Sequence, residues 1–187
     1  MFAKYPHIGD KLNGFKSYRL RPKCAYNLYN DDYSTEKIFE ILDTIETTDY
    51  IMLVFGEIDC RMHLAKYKDI DLCINKYWEL IDAIKETHNN IILFGTHLAR
   101  DNSTTKGCGT YQDRKNATIE FNSKLEQQCF DTNTLFINIF DNIKDENGDA
   151  MDEYFADYTE RDIHLNSKVL PFVFDKLKKI GVLNDKN

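Results

Sequence analysis

A three-layer α/β/α sandwich around a mostly parallel central sheet, flavodoxin-like in plan, is the fold class this sequence predicts. Two short stretches carry the prediction: residues 50–55 (YIMLVF) and 91–99 (IILFGTHLA). Each is apolar on both faces, as strands are when helices cover both sides of their sheet. Between and around them the apolar residues return at helical spacing, and helices alternating with buried strands imply parallel pairing with right-handed crossovers.

Taken in order, residues 14–20 (GFKSYRL) are aromatic-rich and stopped by Pro22, which predicts a short strand. Ser34 and Thr35 offer capping side chains to a helix through Ile38, Ile41, Leu42 and Ile45, which feeds the first buried strand at 50–55. A long amphipathic helix over 65–87 carries Ile70, Leu72, Ile74, Trp78, Ile81 and Ile84 at an approximately 3.6-residue period, and Asn89-Asn90 ends it before the second strand. Residues 100–109 (RDNSTTKGCG) read as a polar loop at the carboxyl end of that strand. A helix through Ala117, Phe121, Leu125 and Cys129, a strand at 134–139, a turn at Asn147-Gly148 and a helix over 165–180 complete the chain.

The 187 residues contain 42% hydrophobic and 13% aromatic side chains, enough to bury a substantial core. No linker or internal repeat divides them, so the whole of 1–187 is expected to be one domain. A net charge of −7 argues against nucleic acid as a partner, since phosphate binders present a basic patch. Five scattered cysteines without a CxxC pair favour reduced thiols over a zinc knuckle or disulfide framework. The amino terminus has no signal-peptide core, and no window reaches the length of a membrane span. A cytoplasmic protein, with no membrane partner and an undetermined oligomeric state, is the expectation.

Two charged clusters stand where ligand crevices form, beyond the carboxyl ends of strands. The first is GEIDCR: Gly56, Glu57, Asp59 and Arg61 following the first buried strand. Read as extended chain, its Glu57, Asp59 and Arg61 side chains point to one side. Two roles stand side by side: Arg61 grips a substrate carboxylate or phosphate with its planar fork, or the group only locks the strand end to a neighbouring loop. The second cluster is RDIHLN at 161–166. His164 is the candidate general base, because imidazoles titrate near neutrality, and Asp162 is the candidate that orients it. The plainer alternative makes His164 a helix-start residue and Asp162 an N-terminal helix carboxylate.

The order of these motifs resembles the SGNH (GDSL-like) hydrolase superfamily, and the resemblance spans most of the chain. Gly56-Glu57-Ile58-Asp59 stands at the family's Gly-x-Asn-Asp position, and the block around His164 stands at its late Asp-x-x-His position. The GEIDCR form, with Phe121-Asn122 and HLN, is similar to a branch associated with polysaccharide modification. The resemblance implies an esterase or acyltransferase acting on acyl esters, acetyl above all, of a carbohydrate. It implies no cofactor and no metal, a catalytic pair in His164 and Asp162, and an oxyanion- or substrate-binding set of Gly56, Glu57, Asp59, Arg61 and Asp10. The sequence departs from the pattern at three places. Lys11 follows Gly9-Asp10 where the family serine stands, Ile58 replaces the asparagine, and Arg161 occupies the position three before the histidine. The residues before Gly9 also match a buried first strand poorly.

Those departures leave the nucleophile unassigned among Ser17, Ser103, Cys24, Cys60 and Cys108. They also keep two further readings open. One is a catalytically silent SGNH-like domain that binds a glycan, on a tyrosine-rich surface, or a protein. The other is a metal-assisted phosphodiesterase drawing on His63 or His97 with Glu57 and Asp59.

Overall fold

A computed structural model describes residues 15–20, 22–98, 100, 107–156 and 164–184. Three parallel strands, β1 (Ile51–Leu53), β2 (Ile91–Phe94) and β3 (Leu135–Ile137), lie in the order β1-β2-β3. Five helices accompany them: α1 (Asp32–Leu42), α2 (Ala65–Tyr67), α3 (Ile70–Lys85), α4 (Tyr111–Asp131) and α5 (Leu170–Lys179).

The alternation of side chains along each strand sorts the core into two halves, one on each face of the sheet. Leu53, Ile91 and Leu93 join Ile38 and Leu42 of α1, the apolar stripe of α3, and Phe121, Leu125 and Cys129 of α4. Ile92, Phe94 and Ile137 join Val173 and Leu177 of α5, with Ile139, Phe155 and Leu165. Helix, sheet and helix layers follow, so the predicted α/β architecture is the one observed.

Several local expectations change. Helix α1 begins two residues early because Asp31, not Ser34, is its N-cap: the Asp31 carboxylate accepts the Ser34 amide at 2.9 Å. The long helix predicted over 65–87 is broken at Lys68, which turns left-handed (φ 56°), and restarts with Asp69 capping α3. Helix α4 starts at Tyr111 on a reciprocal capping box between Thr110 and Asp113. Residues 15–20 form no strand; their alternation is too weak to specify a sheet face. Gly148 takes a left-handed turn (φ 76°) inside a small hairpin closed by the Lys144–Ala150 bridge. Among the described residues no helix is long and apolar enough to cross a membrane.

Candidate functional site at the carboxyl edge of the sheet

After β1 the chain reaches Gly56 at φ 110°, a conformation that L side chains rarely adopt. It then coils rather than extends. Glu57 and Ile58 are helical, Asp59–Leu64 forms a π-helical stretch, and the Cys60 amide donates to the Gly56 carbonyl at 2.9 Å. The extended GEIDCR expected from sequence is therefore corrected. In a coil the four-residue spacing brings Glu57 and Arg61 together, with Arg61 Nε donating to Glu57 Oε1 at 2.5 Å and Nη2 to Oε2 at 3.4 Å. Both side chains are largely covered, and a paired guanidinium in a partly buried setting is held more firmly than one at an exposed surface.

Asp59 points the other way. Its side chain is buried and accepts the Ala25 amide at 2.7 Å, the Tyr26 amide at 3.1 Å and the Cys73 thiol at 3.5 Å. Those bonds satisfy the carboxylate and brace the 3-10 turn Ala25–Asn27 against α3.

The carboxyl end of β2 lies next to that of β1. The Thr96 backbone is clasped by Asn122 of α4, and His97, half-buried, lies with its ring centroid 6.0 Å from that of Phe155. Arg100 stacks its guanidinium 5.5 Å from the Phe155 ring centroid and pairs with Asp152 at 2.7 Å. The returning loop is pinned where the Cys108 amide donates to the Arg61 carbonyl at 2.9 Å and Arg114 Nη1 donates to the Gly109 carbonyl at 3.0 Å.

Phe155 bridges Leu165 in antiparallel fashion, and the Ala156 amide donates to the His164 carbonyl at 2.8 Å. Leu165 is buried and His164 exposed, as alternation across such a pairing requires. A continuous path therefore runs from the end of β2 through His97, Phe155 and Leu165 to His164. Asn166 fixes this segment: Nδ2 donates to the carbonyls of Glu153 (2.7 Å) and Phe155 (2.8 Å), and Oδ1 accepts the Lys168 amide (2.8 Å). The HLN motif noted in sequence thus combines an exposed imidazole, a core anchor and a carboxamide tie. Beside it an open cleft of about 460 Å³ is lined by Tyr111, Asp145, Asp149, Met151, Asp152 and Glu153. Asp10, Lys11, Arg161 and Asp162 lie outside the described residues, as does Ser103.

Of the candidate thiols, Cys24 and Cys60 are poor nucleophiles. Burial first, and the Asp59 charge second, push Cys24 up to about 12. Burial likewise raises Cys60 and Cys73, with Asp59 adding to both, and lifts Cys129 to about 12. All five cysteines are free. Cys24 and Cys60 therefore hold their protons at neutral pH, when a thiolate is what attacks. Among the described residues no three His, Cys, Asp or Glu side chains converge as metal ligands; His88 is buried, with Nδ1 2.9 Å from Thr87 Oγ1.

Sequence reasoning found both clusters but missed Asn122 and Asn166 as structural ties, because their partners are main-chain groups distant in sequence. No family model matches this chain, and no curated protein does. A solved structure from Streptococcus pneumonia that carries the provisional name platelet activating factor is similar over 78% of this chain and 67% of its own, with 20% identity and a TM-score of 0.49.

Proposed function

We propose that this chain is an ester hydrolase or acyltransferase of the SGNH type that acts on an acyl ester, acetyl first, of a carbohydrate, with His164 as general base. The observation that carries the reading is the path from the end of β2 through Phe155 to Leu165. That path ends at an exposed histidine a few residues before the last helix, which supports the reading. Asp162, two residues earlier, orients the imidazole. In the reaction His164 takes the proton of an attacking hydroxyl as its oxygen bonds to the ester carbonyl, then returns that proton to the departing alcohol. The acyl group then passes to water or to an acceptor hydroxyl. With Cys24 and Cys60 protonated, the candidates left for the nucleophile of this reading are Ser17, Ser103 and Cys108.

A second reading, a silent domain that binds a glycan, has its own support. Glu57 and Arg61 satisfy each other, Asp59 is spent on main-chain amides, and lysine follows Gly9-Asp10.

Hydrolysis of 4-nitrophenyl acetate by the wild type and by His164→Ala, each with and without EDTA, separates the readings. Loss of turnover in His164→Ala that is indifferent to EDTA supports the hydrolase. Equal rates in the two proteins sink it, and EDTA-sensitive activity would point to the metal-assisted alternative.

A further inference from the structure

The ladder of β2 ends at Gly95, whose amide donates to the Ile137 carbonyl at 2.8 Å. Thr96 comes next and is still buried, at 4% exposure, so its amide and carbonyl must find partners without water or a neighbouring strand. Asn122 supplies both. Its Oδ1 accepts the Thr96 amide at 2.8 Å and its Nδ2 donates to the Thr96 carbonyl at 2.8 Å, and Asn122 itself is buried at 5% exposure. A carboxamide is suited to this because it presents one donor and one acceptor side by side, as a strand residue does. A carboxylate offers only acceptors, and leucine of similar size offers neither.

The preceding residue on α4 acts on the other edge. A Cβ at Gly56 would lie 2.6 Å from Phe121 Cε1, so the Phe121 ring sets how closely the end of β1 approaches the helix. Neighbouring helical residues project about 100° apart, which lets one turn of α4 meet both strand ends.

We infer that Asn122 is a positioning residue of the sheet's carboxyl edge: its carboxamide holds the Thr96–His97 main chain, and together with Phe121 it fixes the spacing between the strand end bearing His97 and the strand end bearing Glu57. Only the kinetic arm of its test rests on the ester-hydrolase reading.

Amide hydrogen exchange in the wild type, followed residue by residue by NMR, is the first arm. The Thr96 amide is expected to be protected to the same degree as that of Gly95; exchange at the rate of an exposed loop amide overturns the inference. Asn122→Leu supplies the second arm, with Asn122→Asp as the variant that keeps shape and acceptor but removes the donor. In folded Asn122→Leu, Thr96 protection should fall by about tenfold or more while that of Gly95 persists, whereas Asn122→Asp, which retains the acceptor of the Thr96 amide and loses only the bond to its carbonyl, should keep it. On 4-nitrophenyl acetate kcat should fall by on the order of tenfold to a hundredfold, with KM within about twofold. Unchanged Thr96 protection in Asn122→Leu, or a general loss of protection along β2 that includes Gly95, overturns it. Should the wild type show no hydrolysis, the function proposed above fails, and the exchange pattern still decides the role of Asn122. Should neither variant fold, the wild-type exchange decides it.

Discussion

The ring of Phe121 occupies the space where a side chain on Gly56 would stand, 2.6 Å from the position of its Cβ. Gly56 is also at φ 110°, so any substitution meets a clash and backbone strain at once. Gly56→Ala is expected to destabilise the fold by about 3 kcal/mol. Denaturant titration would show it as a lower midpoint with an unchanged slope, and pairing it with Phe121→Leu should recover part of the loss.

Asp59 tests whether the first cluster is a brace. Asparagine keeps the shape but turns one acceptor into a donor facing the Ala25 and Tyr26 amides. Asp59→Asn should cost about 2 kcal/mol in thermal or chemical unfolding. It should also raise amide exchange at Ala25 and Tyr26 while leaving α5 unaffected.

The buried thiols set the alkaline limit. Unfolded cysteines ionise near 9.0, whereas Cys24 and Cys129 are pushed up to about 12 in the fold, chiefly by burial. The unfolded chain therefore binds fewer protons in that window. Stability from these groups is complete below pH 9 and is lost as pH rises from 9 toward 12. Melting temperature should decline across that range, and Cys129→Ala should flatten the decline. At neutral pH, iodoacetamide should label Cys24 more slowly in the native protein than Cys24 of the unfolded chain, because burial holds its thiol protonated.

At the acid end the group to watch is Asp31. The hydrogen bond from Lys23, followed by those from Ser34, lowers its carboxyl from 3.8 to about 2. Stability from it is present above 3.8 and lost as pH falls toward 2. Wild type and Asp31→Asn should therefore differ in melting temperature at pH 5 and converge near pH 2. A gap that persists at pH 2 would show that the charge is irrelevant.

The sheet and its covering helices were legible because their signal is repetitive: β2 is apolar at every position, and α3 repeats its stripe over four turns. GEIDCR misled because a two-residue alternation and a four-residue pairing coexist in one segment. Glu57 and Arg61 satisfy the helical spacing, and after Gly56 the coil prevails. Asn122 and Asn166 stood out only as members of the Phe121-Asn122 and HLN motifs, and their role as ties left no local signal, since each bonds to backbone that any residue type could provide. His164 stood out only as one histidine in a charged block, and its exposure comes from a bridge between Phe155 and Leu165 that no local pattern announces.

β2 is packed on both sides, Ile91 and Leu93 into one core and Ile92 and Phe94 into the other. A slip of one residue would move each side chain to the opposite core and still bury a branched or aromatic hydrocarbon, so greasiness cannot enforce the alignment. The polar ends do so. Asn90 accepts the Ile51 amide on its carbonyl and donates its side-chain amide to Thr48, while Gly95 bonds to Ile137 and Thr96 to Asn122. Fidelity of assembly thus resides in the two punctuation marks of the strand rather than in its text. Kinetic misassembly is the defect to expect when Asn90 or Asn122 is replaced, even where the final fold is reached.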